Sequence, residues 1–536
     1  MNMFGKANGG ADPAAALDVR PLLQQGVDPR PVVLERACRI AQGDSMVLEA
    51  PFDPAPLRAL LTEMGFSSRA ERVAEDHWRV TLVHDAQRRL ESSAGAAASR
   101  MDAERCGRIN RPNTPPDMMA NARDYLIPAS IPFRFFAGAL AFHVAGWALL
   151  LVSSDQLPGF VGGLGPILAS LHSITLGVLA MTAIGASFQM LPVATMRPVR
   201  SAPASRLTFW LFLPGLALLL YGFGSGRLLP MEVGGALTVA GLALFAWLVI
   251  DLVRHAGNLH AVAIHVWIAM TSLVVLALLG LMMIADFSFG YLPDHRLLAI
   301  IHGVVAGYGF MGMLVLGFSF ILVPMLALAP AGNATNGRRS AILAALALGT
   351  AVTGLALANT TVIIIAGLVG LIAAGLHLLT MSQVLRGRMK KRLGNAFQLI
   401  RLGWVMLPTS IVVGLAAATS YADWCAPLFG FVLVFGWLLS FLTGILQRII
   451  PFLASMHSSA GGIKPMLVSR LTPEAPLRLH LTGHSLGVVS VAAGIVSGNT
   501  PLIRLGASSG LIGAAAFAWF GVVVWRRLSL HLQSKS

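Results

Sequence analysis

The chain contains 536 residues, of which 56% are hydrophobic and 12% are charged. This composition excludes an ordinary soluble domain and is typical of a protein that crosses a membrane many times, so the lipid bilayer is the first expected partner. The formal charge of +15 at pH 7 would also suit a nucleic-acid-binding protein. The cations, however, concentrate in particular loops between apolar segments, so no nucleic acid is expected as a partner.

The cysteines and the polar N-terminal region exclude two further classes of protein. Cys38, Cys106 and Cys425 lie far apart and form no CxxC pair, which argues against a disulfide framework and against a cysteine-ligated metal site. The first 130 residues are polar and do not begin with an apolar core, so we expect no cleavable signal peptide.

Residues 14–86 predict a small α/β domain with the element order β-α-β-α-β-β. Two Asp-Pro pairs each combine an N-cap residue with a proline suited to the first turn of a helix. The predicted elements are a strand at Ala15–Val19, a helix from Asp28-Pro29 to Gly43, a strand at Ser45–Ala50, a helix from Asp53-Pro54 to Gly65, and a hairpin of Arg69–Ala74 and His77–Val83.

The segments LDVRPL, GDSMVLEAPFDP and LLTEMGF, in this order, resemble the TusA-like sulfur-carrier family. The resemblance is closer to an uncharacterised branch that is often found with denitrification and haem proteins. Sulfur carriers of this family hold a Cys-Pro pair at the start of the first helix, where the helix N-terminus lowers the thiol pKa. Here Asp28-Pro29 takes that place, and we expect Cys38 to pack in the apolar face further along the helix. The resemblance therefore implies a domain that docks a cytoplasmic protein partner rather than one that transfers persulfide.

Residues 87–130 mix small, charged and proline-rich segments and predict a flexible linker. Residues 131–528 predict a mainly α membrane domain, because twelve apolar segments are each long enough to cross a bilayer. The predicted spans are roughly 132–153, 162–193, 207–224, 232–252, 261–285, 298–326, 340–358, 361–384, 399–419, 426–450, 478–497 and 503–525.

The distribution of Lys and Arg between the loops predicts the orientation of these spans. One set of alternating loops contains fourteen of these cations and the opposite set contains three. The N- and C-termini belong to the cation-rich side, so both are expected to be cytoplasmic, in a bacterial inner membrane. The fourteen are Arg197, Arg200, Arg206, Arg254, Arg338, Arg339, Arg386, Arg388, Lys390, Lys391, Arg392, Lys464, Arg470 and Arg478, and the three are Arg227, Arg296 and Arg504.

A glycine followed after six residues by a proline recurs three times, at Gly185–Pro192, Gly317–Pro324 and Gly444–Pro451. Such a period indicates an internal repeat, and twelve helices then form three pseudo-symmetric repeats of four. The three segments fall on membrane helices 2, 6 and 10, counted in chain order. We expect the glycines to allow close helix contacts and each proline to end its helix at the cytoplasmic boundary.

Twelve helices in three repeats, with a histidine early in helix 2, resemble the catalytic subunit of haem-copper oxidases. The resemblance is closer to the divergent NnrS-type relatives, which are linked to the nitric-oxide response. In the oxidases the helix 2 histidine is an axial ligand of the low-spin haem and the helix 6 histidine binds copper, which makes His172 and His302 the matching residues. His172 lies 20 residues before Pro192 and His302 lies 22 before Pro324. Both are thus about 30 Å from the cytoplasmic helix ends.

The oxidases also need two histidines on helix 10 and a His-His pair on helix 7. Residues 426–450 and 340–358 contain no histidine, and Phe429 and Phe431 fall at the corresponding depth of helix 10. The full oxidase active site is therefore not expected, nor is oxygen or nitric-oxide reduction by the family mechanism.

Three interpretations remain open for His172 and His302. The pseudo-symmetry would allow one haem b between helices 2 and 6 with the two imidazoles as axial ligands. The same residues could bind copper or another metal. They could also form only hydrogen bonds between helices, since an imidazole in hydrocarbon tends to face the bundle interior.

A second group of histidines lies toward the predicted cytoplasmic side and includes His265 and His377. His480 and His484 are four residues apart on one face of helix 11, which suits a metal ion if a third ligand converges. We expect His480, like His260, at the lipid interface. His143 of helix 1 has no partner that the sequence reveals, and His457 is expected in a cytoplasmic loop.

The sequence leaves three classes of function open. A haem or metal protein of the oxidase/NnrS group would act in nitric-oxide, denitrification or redox homeostasis. A cofactor-free transporter or channel would fit the apolar bundle equally well, although no Asp or Glu falls in the interior of a predicted span, Glu232 and Asp251 being at the ends of one. A sulfur-handling membrane protein is the third class, suggested by the TusA-like region. The sequence does not establish an enzymatic activity.

Overall fold

The computed structural model divides the chain into two compact units, one up to Asp124 and one from Tyr125. The predicted linker lies for the most part outside the residues that the structure describes. The described residues are 16–24, 29–41, 43–54, 57–58, 61–62, 64–74, 77–84, 125, 127–195, 197–254, 260–390, 392–458 and 465–533.

The N-terminal unit contains a four-stranded sheet with strand order β1-β2-β4-β3. β1 (Leu17–Asp18) pairs in parallel with β2 (Ser45–Ala50), and the helix α2 (Arg30–Ala37) makes the crossover that parallel neighbours require. β3 (Phe66–Ala74) and β4 (His77–His84) form a hairpin, and β4 pairs antiparallel with β2. The predicted strands and hairpin are therefore present.

Two features of this unit differ from the predicted elements. A short helix, α1 (Arg20–Gln24), follows β1 directly. Cys38 is half-exposed and does not pack in the apolar face, because α2 ends at Ala37 and leaves Cys38 as its C-cap residue. Asp28, the predicted N-cap, lies outside the described residues. The second predicted helix is described only in part, with helical conformation at 57–58 and 61–62.

The C-terminal unit contains twelve helices that are long and apolar enough to cross a membrane, among the described residues. A further short helix, Val468–Leu471, lies between the tenth and the eleventh of them. The prediction of a mainly α protein with twelve membrane helices is confirmed. The spans are Ser130–Val152, Pro166–Thr195, Ala202–Ser225, Leu228–Val253, Ala261–Phe289, His295–Ala327, Ala334–Ala356, Thr360–Arg386, Asn395–Ala418, Cys425–His457, Glu474–Ser497 and Thr500–Gln533.

The twelve helices pack as three similar groups of four. Within each group the first helix contacts the second and the third, and the second contacts the fourth. The fourth helix of each group contacts the first helix of the next, and helix 12 closes the ring on helix 1. Helices 2, 6 and 10 are the most buried, since 72%, 78% and 89% of the residues in their apolar stretches are buried. They are therefore the inner helices of the bundle.

Each inner helix contains an eight-residue π-helical segment, at Ser173–Ala180, Val305–Gly312 and Val432–Leu439. Each segment ends twelve residues before the repeated proline of its helix. The π segment of helix 10 contacts those of helices 2 and 6. Because π-helical turns are frequent at functional sites, the shared position marks the centre of the bundle as a candidate site.

The repeated prolines do not end their helices as expected. The helices continue to Thr195, Ala327 and His457. A proline removes one backbone hydrogen bond, and inside a membrane bundle the neighbouring helices and the local backbone accommodate this loss.

The repeated glycines pack against the first helix of their own repeat, as the sequence predicts. A β-carbon at Gly317 would lie 2.7 Å from Cβ of His265, and one at Gly444 would lie 2.7 Å from the backbone oxygen of Ala396. At Gly185 the corresponding distance to Cβ of Phe135 is 3.0 Å. The small residue therefore sets the spacing between the first and second helices of each repeat.

Candidate functional site

A cavity of about 820 Å³ opens between the inner helices and the helices around them. Its wall is mainly apolar, and its volume lies in the range of ligand and cofactor sites. The polar and aromatic side chains that line it near the π segments include His172, Thr175, His302, Tyr308, Phe429 and Phe431.

His172 is the last residue of helix 2 before the π segment. Its Nδ1 donates a hydrogen bond to the backbone oxygen of Leu168 at 3.0 Å. In the neutral ring this bond places the proton on Nδ1, so Nε2 presents its lone pair. Phe223 of helix 3 packs against the ring, with the centroids 4.8 Å apart.

His302 lies in helix 6, three residues before its π segment. Its Nδ1 is buried and has no hydrogen-bond partner. The ring faces Gly280 of helix 5, where a β-carbon would lie 3.4 Å from Cε1 of the imidazole. His172 is near enough for the charged forms of the two rings to repel each other. The structure thus brings both sequence-predicted ligands to one cavity.

Helix 10 offers phenylalanines where helices 2 and 6 offer histidines. Phe431 and Phe429 lie 20 and 22 residues before Pro451, at the spacings of His172 and His302 from their own prolines. Both rings line the same cavity. The third repeat therefore contributes packing surface, and not a ligand, at this depth.

Tyr308 supplies a further polar group in the π segment of helix 6. Its hydroxyl forms a 2.8 Å hydrogen bond with Oγ of Ser410 in helix 9. Its ring lies 5.5 Å from that of Trp437 and 6.4 Å from that of Phe429, measured between centroids. The sequence did not identify Tyr308 as a candidate site residue, although this tyrosine lies six residues after His302 in the same repeated helix.

The second candidate site is a group of three buried histidines, which we call the histidine trio: His143 of helix 1 with His480 and His484 of helix 11. One candidate ligand atom from each lies within 4.8 Å of the others. His480 is 0% exposed, so the predicted interface position is wrong. Although it lies near the start of its helix, it faces helices 1, 10 and 12.

Each member of the trio has one ring nitrogen in contact with a neighbouring polar group. Nε2 of His143 accepts a 3.2 Å hydrogen bond from the indole of Trp147. Nδ1 of His480 lies 2.9 Å from Nε2 of Gln447, and Nε2 of His484 lies 2.8 Å from Oγ of Ser440. The remaining nitrogens, Nδ1 of His143, Nε2 of His480 and Nδ1 of His484, are buried without a partner.

His265 and His377 do not join the trio. Nδ1 of His265 donates to the backbone oxygen of Ala261 at 2.6 Å, and Nε2 of His377 lies 3.1 Å from Oγ of Ser319. The phenyl ring of Phe320 lies next to both imidazoles. The predicted cytoplasmic group therefore separates into two.

Two further predictions about histidines differ from the structure. His457 is the last residue of helix 10 and not part of a loop, because the helix continues beyond Pro451. His143 does have partners: Trp147 lies one turn further along the same helix, and His480 and His484 belong to a helix more than three hundred residues away, which the sequence could not reveal. The side chain of His260 lies outside the described residues.

Comparison with known proteins gives a family match for the N-terminal region and matches to solved structures for the membrane helices. Residues 16–84 match DUF2249, a family described as an uncharacterized conserved protein. A haem-copper terminal oxidase, solved as a dimer by cryo-EM, matches with 12% sequence identity and a TM-score of 0.56, over 76% of this chain and 84% of its own. Comparison with the curated proteins finds no match. At so low an identity the structural likeness establishes the fold alone: this is a membrane protein with a haem-copper-oxidase-like fold and an N-terminal DUF2249 domain.

Proposed function

We propose that this protein is a haem-binding, NnrS-like protein of the bacterial inner membrane, in which His172 and His302 hold one haem b. The observation that carries the proposal is that both imidazoles reach a single apolar cavity at the level of the π segments. A cavity of about 820 Å³ with few polar groups matches the apolar character of a porphyrin.

The donor set of the cavity fits two axial ligands. The bond from Nδ1 of His172 to the backbone oxygen of Leu168 is the outer hydrogen bond that orients metal-binding histidines and fixes their tautomer. The ring of His302 lines the cavity, and its Nδ1 is buried without a partner. Haem held by two imidazoles supplies one-electron transfer when it is bound.

Oxygen reduction at a haem-copper centre does not belong to this proposal. The oxidase resemblance requires histidines on helix 10, and Phe429 and Phe431 stand there. Helix 7, Ala334–Ala356, contains no histidine. Within the cavity, His172 and His302 are therefore proposed as an electron-transfer or sensing site.

The orientation and the N-terminal unit complete the proposal. The excess of Lys and Arg in one set of loops supports cytoplasmic N- and C-termini. The DUF2249 domain resembles TusA-like carriers but has Asp28 in place of the carrier cysteine, which supports docking of a cytoplasmic protein. The branch that it resembles, found with denitrification and haem proteins, supports a role in nitric-oxide or redox homeostasis.

The test is an optical spectrum of the full-length protein, produced with ample haem and purified in detergent, before and after dithionite. We expect a Soret band with sharp α and β bands on reduction, and their loss in His172→Ala and in His302→Ala. His457→Ala is the matched control, because His457 lies at the inner end of helix 10 and does not line the cavity. A spectrum without haem bands, or bands that survive in both cavity variants, would overturn the proposal.

A further inference from the structure

We propose that the histidine trio binds one transition-metal ion, and that this ion is Cu⁺. His143 is 1% exposed and His480 and His484 are 0% exposed, yet one nitrogen on each ring lacks a hydrogen-bond partner. Unpaired polar atoms buried in an apolar interior are costly, and a metal ion that accepts imidazole nitrogen would satisfy those of His480 and His484. The oxidase resemblance assigns ligands to helices 2, 6, 7 and 10, whereas the trio belongs to helices 1 and 11.

The surrounding hydrogen bonds permit His484 to bind a metal through Nδ1. The hydroxyl of Ser440 can donate its single hydrogen to the backbone oxygen of Phe435 at 3.2 Å. With the hydrogen directed there, Oγ accepts from Nε2–H of His484, at 2.8 Å. The proton on Nε2 leaves the lone pair on Nδ1, which is the buried atom that faces the trio.

His480 and His143 have neighbours that permit the same arrangement. Nε2 of Gln447 faces Nδ1 of His480, and the amide oxygen is buried without a partner. Turning the amide by 180° would present that oxygen to Nδ1–H of His480 and leave the lone pair of Nε2 for a metal. Nε2 of His143 already holds a lone pair, shared with the indole N–H of Trp147 at 3.2 Å, a bond at the long end of the normal range. A metal ion would compete with that weak bond.

The charge of the ion follows from what the trio lacks. The group contains no carboxylate and no thiolate, so its ligands do not neutralise the ion. Phe517 stacks on His480 with the centroids 4.5 Å apart, and the ring of Trp147 lies 6.1 Å from that of His484. Burying charge in such surroundings is costly and the cost rises with the charge, so a monovalent ion is favoured. Among the metals that suit imidazole, copper offers that charge.

The trio is separate from the proposed haem site. None of its three histidines lines the large cavity. Phe517, Trp147 and Phe435 pack around the imidazoles, and each imidazole is at most 1% exposed. Copper content and haem spectrum therefore report on the two proposals independently.

The experiment loads the metal-stripped, full-length protein in detergent with Cu⁺ under anaerobic reducing conditions, then desalts it and measures copper per chain. We expect a single copper ion in the wild type and its loss in His480→Ala and in His484→Ala. His377→Ala is the matched control, because His377 is 1% exposed and its Nε2 also contacts a serine hydroxyl, at 3.1 Å. X-ray absorption should show nitrogen ligands at about 2.0 Å.

A second measurement keeps the test valid if a histidine variant fails to fold. Ser440 is a positioning residue, so Ser440→Ala should weaken Cu⁺ affinity by about 10–100-fold in competition with a chromophoric chelator. Ser440→Thr keeps the hydroxyl and should restore the affinity. The proposal is overturned if the wild type retains no copper, if His377→Ala loses as much as His484→Ala, or if Ser440→Ala leaves the affinity unchanged.

Discussion

Gly510 of helix 12 lies directly against the indole ring of Trp147 in helix 1. A β-carbon at Gly510 would come within 2.4 Å of ring atom Cδ2, closer than any side chain tolerates. Trp147 is 0% exposed and is wedged between helix 12 and Phe435 of helix 10, with ring centroids 5.0 Å apart. This contact is where the last repeat closes on the first, and it also holds the ring that bonds to His143.

Replacing Gly510 with alanine should destabilise the membrane unit, because Trp147 cannot move without disturbing the rings around it. Overpacking of this kind costs about 1–3 kcal/mol. Thermal unfolding of the purified protein in detergent would measure it. Gly349→Ala is the control, since a β-carbon there meets nothing within 4 Å. Equal melting temperatures for the two variants would contradict the packing argument.

The repeated glycines predict a graded series of effects. A β-carbon at Gly444 would meet the backbone oxygen of Ala396 at 2.7 Å, and backbone cannot turn aside. At Gly185 the nearest atom, Cβ of Phe135, is 3.0 Å away, so the neighbouring helix needs a smaller shift to accept a β-carbon. We expect Gly444→Ala to cost at least about 2 kcal/mol and Gly185→Ala less than half as much.

The same thermal unfolding assay would rank the two repeat-glycine variants. If Gly185→Ala proved as damaging as Gly444→Ala, the distance to the nearest atom, 3.0 Å against 2.7 Å, would not be what decides the cost.

The repeat could be predicted from the sequence because a glycine and a proline recur at the same spacing in three apolar segments. That spacing predicted close helix contacts at Gly185, Gly317 and Gly444 and a similar depth in the membrane for His172 and His302. The π segments were not predictable in this way. They depend on which carbonyl each N–H reaches, and apolar residues such as those of Val432–Leu439 suit α and π turns alike.

His143 and His480 show where reasoning along the chain stops. His480 lies near the start of helix 11, and this position predicted exposure at the lipid interface. Its burial depends instead on which side of helix 11 faces the bundle, which the rotation of the helix about its axis decides. His143 meets His480 and Phe517 only because helices 11 and 12 pack against helix 1 and close the ring of helices. Contacts made by ring closure join residues far apart in sequence and have no local pattern.

Glu49 forms the main buried charge contact of the N-terminal sheet. It lies on β2 directly opposite Arg79 of β4, whose Nε is 2.7 Å from Oε1, and His77 bonds to Oε2. Burial by itself raises the pKa of this carboxyl, but the hydrogen bonds from Arg79 and His77 outweigh burial. The pKa of Glu49 therefore lies below its ordinary value of 4.5.

A lowered pKa makes the stability of this sheet depend on pH. The contribution of Glu49 is fully present above about pH 4.5 and is lost as the pH falls through the folded-state pKa. Glu49→Gln should remove about 1 kcal/mol near neutral pH and flatten the acid dependence. Hydrogen exchange of β2 and β4 in the full chain, corrected for intrinsic exchange rates, would measure both.

Glu35 provides the comparison for that experiment. Its contact with Arg39, at 2.5 Å, lies on the exposed side of α2, where ion pairs contribute little. Glu35→Gln should leave exchange in the sheet unchanged. If it mimicked Glu49→Gln, a general charge effect would replace the specific cross-strand contact as the explanation.

The proposed orientation predicts which exposed positions react from each side of the membrane. Cys425 is 0% exposed and should not react, so replacing Cys38 and Cys106 with serine gives a silent background. Asp423 is exposed between helices 9 and 10, and Arg339 is exposed near the start of helix 7. In intact spheroplasts an impermeant maleimide should label Asp423→Cys and not Arg339→Cys, because the cation-rich loops remain inside.

Permeabilising the membrane supplies the control for that labelling. It should expose Arg339→Cys to the reagent and leave the labelling of Asp423→Cys as it was. The reverse order would mean that the cation-rich loops face outward. The DUF2249 domain would then lie outside the cytoplasm, because an even number of spans keeps both termini on one side. Docking of a cytoplasmic partner through that domain would be excluded by the same result.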